Sequence, residues 1–102
     1  MIVEVSPQHQ SVTLRDRDVF TAFHVEAAGG DIRTVLAALG DDGAAISDDQ
    51  VWIRVDAVRQ WATSDEAWEK GFGAMLDFAT ANGWLSQDER MIQAHVEWCQ
   101  EA

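Results

Sequence analysis

Apolar residues recur every three or four positions along most of the chain, and every two positions in only a few short runs. Near the start, Ile2 to Val5 and Ser11 to Leu14 flank Ser6-Pro7-Gln8-His9-Gln10, which holds the sole proline. Two short β-prone runs around a polar turn predict a hairpin. Val19, Phe20, Phe23 and Ala27 then fall at helical spacing. They predict a first helix that starts near Asp16 or Asp18 and is stopped by Gly29-Gly30. A second helix follows, capped by Asp31 and closed by Gly40, with Ile32, Val35, Leu36 and Leu39 on its apolar face.

Asp41-Asp42-Gly43 opens a polar connection. Val51, Ile53 and Val55 alternate with Trp52 and Arg54, so a strand is favoured there over a continuous helix from Val51 to Trp61. Ala44 to Ile46 can pair with that strand across Ser47-Asp48-Asp49, and a short helix from Asp56 to Trp61 comes next. Thr63 and Glu66 have capping-box spacing and open a longer helix. Its apolar face is Trp68, Phe72, Met75, Leu76 and Ala79, and Asn82-Gly83 ends it. Ser86 and Glu89 repeat the capping spacing before Met91, Ile92, His95, Val96 and Cys99, which predict a last helix. The sum is a mostly α fold: about five helices in one domain over residues 1–102, with one or two small β-hairpins. A winged-helix-like arrangement is one variant of it. The expected core is Phe20, Phe23, Val35, Leu36, Leu39, Trp68, Phe72, Leu76 and Ile92.

Composition narrows the function classes more than it names one. The 102 residues are 47% hydrophobic and 25% charged, which suits a globular domain with its own core. Eighteen acids against seven Lys and Arg give a net charge of −11. The bases (Arg15, Arg17, Arg33, Arg54, Arg59, Lys70 and Arg90) are scattered singly, so neither nucleic acid nor a membrane is an expected partner. A helix-turn-helix across Gly29-Gly30, winged by residues 44–55, would read bases with Asp31, Ile32, Arg33 and Thr34. One arginine is a poor footprint for that task. Cys99 is alone and forms no internal disulfide, and no segment resembles a signal peptide or a membrane span. A cytoplasmic protein is expected. Abundant Ala and Arg beside a single lysine suit a GC-rich bacterial genome.

No phosphate loop, nucleophile elbow or zinc-protease motif occurs, and no catalytic residue is expected. The tripeptide His-Val-Glu appears twice, at His24-Val25-Glu26 and His95-Val96-Glu97, without similar flanks, and is read as coincidence. If both lie on helices, the i and i+2 side chains diverge by about 200° and grip no ion together. The histidines are then expected to bond locally at the core edge, with no metal and no cofactor. His95 and Cys99 would share a helix face, with Cys99 a buried, inert thiol. Asp41, Asp42, Asp48 and Asp49 do not match a calcium loop. Of the five Trp, Trp68 and Trp98 lie on apolar stripes. Trp52 and Trp84 are the ones expected at the surface, where tryptophan favours interfaces and pockets.

One resemblance accompanies these readings. Val51-Trp52-Ile53, Val55-Asp56-Ala57-Val58-Arg59, Gly71-Phe72, Met75-Leu76, Gly83-Trp84 and Ala94-His95-Val96-Glu97-Trp98 are spaced along residues 51–98. In this they resemble a helical C-terminal extension of some actinobacterial flavin-reductase-like proteins. The resemblance implies an accessory module used without the flavin-binding barrel, for which the chain is too short. The leading expectation is therefore a non-catalytic accessory or protein-interaction domain whose partner is another protein or itself, as a homodimer. A small-molecule binder or minor enzyme with a pocket at Trp52, Trp84 and His95 is the second. An acidic nucleic-acid mimic is the third.

Overall fold

A computed structural model describes residues 1–99. Its framework is one mixed six-stranded sheet with three α-helices. The strands are β1 (Ile2–Ser6), β2 (Ser11–Arg15), β3 (His24–Ala28), β4 (Gly43–Ser47), β5 (Gln50–Arg54) and β6 (Met91–Cys99). The helices are α1 (Ile32–Leu39), α2 (Val55–Ala62) and α3 (Glu66–Ala81). Strand order is β2-β1-β3-β6-β5-β4. The pairs β1–β3 and β3–β6 are parallel, while β1–β2, β5–β6 and β4–β5 are antiparallel.

This architecture corrects the mostly α expectation of about five helices. Two of the expected helices are strands, and they are the two that complete the sheet. The stripe Val19, Phe20, Phe23 and Ala27 is a loop running into β3, and Met91 to Cys99 is β6. In β3, Val25 and Ala27 are buried while His24 and Glu26 face the other way. In β6, Ile92, Ala94 and Val96 are buried and alternate with Gln93, His95 and Glu97. Period two wins because each strand gains a ladder on both sides, which no isolated amphipathic helix can match. A winged-helix arrangement goes with the same correction, since β3 and β6 form the middle of the sheet. Residues 51–98, the segment resembling a helical extension, hold β5 and β6 at their ends and α2 and α3 between them.

Several local readings agree with the structure. The β1–β2 and β4–β5 hairpins form, the latter with a register shift between Ala45 and Ser47. Asp31 caps α1 in a reciprocal box with Thr34, each side chain bonding the other's backbone amide at 3.1 and 2.9 Å. Helix α3 is capped two residues after the expected Thr63, at Asp65. Asp65 accepts from the Trp68 amide at 2.7 Å, and Thr63 is the left-handed residue that ends α2, at φ 52°. A carboxylate is as good a cap as a hydroxyl and also suits the helix dipole.

The helices cover one face of the sheet. Val3, Val5, Val25, Val51, Ile53, Ile92 and Val96 point toward them, and Phe72, Trp68 and Met75 of α3 close the core from above. Of the expected core residues, Val35, Leu39, Trp68, Phe72 and Ile92 are buried. Phe20, Phe23, Leu36 and Leu76 pack at its margin. The 16–23 loop is held by Trp68, whose indole donates to the Arg17 carbonyl at 2.7 Å and whose ring lies 6.0 Å from Phe20. Gly71 permits this, because a Cβ there would collide with the Phe20 ring. Arg59 joins α2 to α3 through Glu69 at 2.8 Å. Among the described residues, no helix is long and apolar enough to cross a membrane.

Phe72 is fully buried and stacks on Trp68 at 4.5 Å. Phe72→Ala is expected to cost about 3–5 kcal/mol of stability in urea denaturation, from lost burial plus a residual cavity. Amide hydrogen exchange is expected to be slowest at 25–27 and 94–96, the central strands, and faster in β2 and β4. Equal rates in central and edge strands would contradict the topology.

Candidate functional site

The face of the sheet that carries no helix is polar and charged. The parallel register of β1, β3 and β6 decides its layout. His24 lies beside His95, Val25 beside Val96, and Glu26 beside Glu97, so the two His-Val-Glu tripeptides are in-register neighbours. Glu4 of β1 pairs in turn with Glu26. On strands, residues i and i+2 share a face. Hence both histidines and both glutamates project from the open side, while both valines enter the core. Side chains at i and i+2 diverge on a helix, but on these strands they stand together.

The cluster is tightly connected. Arg15 of β2 bridges Glu4 at 3.1 Å and Glu26 at 3.1 and 3.2 Å. His24 Nε2 lies 3.0 Å from Glu26 and 3.6 Å from Glu97. The His24 hydrogen bond, with the Arg15 guanidinium behind it, holds the Glu26 carboxyl below the usual glutamate range against a smaller opposing effect of burial. A shallow depression of about 210 Å³ adjoins the cluster, floored by Glu4, Ser6, Thr13, Glu26 and Ala28, with Cys99 at its rim. Cys99 is exposed rather than buried, because it ends β6 on the open face. His95 and Cys99 lie four residues apart on a strand, about 13 Å along it, so they form no ligand pair.

A second feature lies where β6 meets the end of α3. Trp84 and His95 line one recess of about 240 Å³ together with Phe23, Gln50 and Gln93. It continues into an apolar groove walled by Phe20, Phe23, Met75, Phe78, Trp84 and Ile92. Phe78 is 62% exposed and Trp84 43% exposed, and their rings meet edge to face at 5.7 Å. Of the three residues singled out from the sequence, the structure brings together Trp84 and His95. Trp52 is half-buried on the open face, opposite Gln93, and lines a separate hollow with Leu85 and Asp88. Trp98, expected in the core, is 41% exposed.

The residues missed from the sequence are Glu4, Arg15 and Phe78, whereas Glu26 and Glu97 are raised there beside His24 and His95 and set aside only because a helix would part them. The repeated tripeptide was the available signal for the glutamates. Identical short segments paired in parallel set the same residues side by side, but only a strand reading makes that pairing visible.

Glu26 supplies a pH test. Its carboxyl pKa is lowered in the folded protein, so its contribution to stability is present above the unfolded pKa and is lost as pH falls through the folded value. An NMR titration is expected to place the Glu26 midpoint below the ordinary glutamate range. His24→Ala, which removes the largest cause, is expected to raise it. An unshifted midpoint in the parent protein would show that the hydrogen bond does not persist in solution.

No protein-family model matches the chain. No curated protein and no solved structure matches it either.

Proposed function

We propose that this chain is a non-catalytic protein-interaction domain whose docking site is the groove at Phe78 and Trp84. The occupant is a basic segment of a partner protein that carries an apolar anchor. The observation that carries this reading is the pair of large aromatics left exposed at the mouth of an apolar groove. Burying such surface is what a folded domain ordinarily does with it, and exposed aromatic patches mark contact sites. The choice of a basic partner follows from the net charge of −11, which repels a second copy of the chain and steers cationic segments toward it.

The open face supports this reading over the acidic mimic. Arg15 stands between Glu4 and Glu26, and His24 between Glu26 and Glu97, so these acids are interrupted rather than set in an even row. A small-molecule site is supported less well, because the recess at Trp84 and His95 is shallow and open and has no enclosed polar centre.

Tryptophan fluorescence and calorimetry on a panel of Lys- and Arg-flanked peptides with Leu, Phe or Trp anchors test the proposal. At least one is expected to bind, more weakly as salt rises, while acid-flanked counterparts do not. Phe78→Ser and Trp84→Ala, both at exposed positions, are expected to cost about 2 kcal/mol of binding or more, roughly thirtyfold in affinity. Binding indifferent to both substitutions would refute the groove as the site. A dimer that Phe78→Ser dissolves would replace the basic partner with a second copy.

A further inference from the structure

The geometry points to a divalent transition-metal site on the open face of the sheet, held by His24, Glu26 and Glu97. One ligand atom from each of these three residues lies within 4.8 Å of the other two. His24 Nε2 is the hub, 3.0 Å from Glu26 Oε2 and 3.6 Å from Glu97 Oε2. An ion bonded at about 2.0–2.1 Å to each of three tetrahedral ligands needs those atoms about 3.3 Å apart. The two observed separations bracket that value. The remaining Glu26–Glu97 edge is within 4.8 Å, and the Glu97 side chain is 58% exposed.

The charge balance favours a cation. Three carboxylates, Glu4, Glu26 and Glu97, stand in the cluster against one guanidinium, Arg15, which reaches only Glu4 and Glu26, so negative charge is in excess. Arg15 bonds both oxygens of Glu26 and fixes the plane of that carboxylate, as outer partners of metal ligands commonly do. The imidazole selects the class of ion. Calcium and magnesium prefer six or more oxygens, whereas one nitrogen and two carboxylates suit zinc and its first-row neighbours. Three protein ligands at an open surface leave at least one coordination position for water or an anionic group.

The site does not include His95. It stands beside His24 in the parallel register but does not join the convergent atoms, and it faces the Trp84 recess. Cys99 is two pairs beyond Glu97 along β6 and is likewise outside the set. The proposal is independent of the peptide groove: it concerns different side chains and a different ligand.

Calorimetry with Zn2+ on the untagged, metal-stripped protein at neutral pH tests it. One equivalent is expected to bind, more tightly at higher pH, because ion and proton compete for an imidazole ligand. His24→Ala and Glu97→Gln are each expected to weaken binding at least tenfold while circular dichroism stays unchanged. His95→Ala and Cys99→Ser are expected to bind like the parent. Co2+ is expected to give visible absorption without a thiolate charge-transfer band, and Ca2+ to compete poorly. The site is overturned by no Zn2+ uptake, by uptake that survives His24→Ala and Glu97→Gln, or by uptake lost in Cys99→Ser.

Discussion

The side-by-side register of His24-Val25-Glu26 and His95-Val96-Glu97 is the constraint from which the molecule is organised. Val25 and Val96 are buried at the centre of the core, and their neighbours on either side in sequence face solvent. Because side chains alternate with period two, a one-residue slip of either strand would drive its imidazole and its carboxylate under the helices. Burying those groups without partners costs several kcal/mol each, so the register is strongly specified. Strand β6 then extends the same alternation to the rest of the sheet. Its last five residues pair in parallel with β3, and its first five pair antiparallel with β5, with His95 common to both ladders.

Parallel pairing of identical segments sets like beside like, and adjacent carboxylates repel. The local chemistry offsets this. Arg15 reaches across from β2 to clamp Glu26, and the His24 ring enters between Glu26 and Glu97. The charged ladder therefore spans four strands and ties the hairpin β1–β2 to the sheet centre. Exposed pairs of this kind each contribute little, so their role is to make the register tolerable rather than to drive folding.

Elements whose signals are local were legible in the sequence. Asp31 and Gly40 bound α1, the acidic turn at Asp48-Asp49 sits between β4 and β5, and the apolar face of α3 was read nearly as it packs. Strands β3 and β6 were not legible, because their sequences satisfy two periods at once. Ile92, His95, Val96 and Cys99 fit a helical stripe, whereas Ile92, Ala94 and Val96 fit a strand. Only pairing decides between them, and one partner of β6, strand β3, lies some seventy residues earlier in the chain. The same ambiguity hid the candidate site. Read as helices, the two tripeptides scatter their ligands; read as strands, they gather them. Trp84 was recognisable from its place after the Asn82-Gly83 stop, but its neighbour Phe78 was not, since one apolar residue off a helical stripe is ordinary surface.

Parallel strands are usually covered on both faces, and here three of them, β1, β3 and β6, leave one face open. The open face avoids becoming an aggregation surface by being charged. At one edge, β4 exposes Ala44, Ala45 and Ile46, and acids bracket them at Asp41, Asp42, Asp48 and Asp49, so two such edges repel. The acidic clusters thus have a structural use that requires no ligand. The groove and the ion site share one rigid element, β6, with Gln93 and His95 at the first and Glu97 at the second. His95, at the edge of the groove, stands beside His24, the hub of the proposed ion site, in the parallel ladder, where neighbouring strands lie about 5 Å apart. That is inside the screening length of about 8 Å at physiological salt. A cation held at His24 would therefore change the charge that a ligand meets at His95, and the two proposed sites, built from different side chains, would be coupled electrostatically across one strand pair.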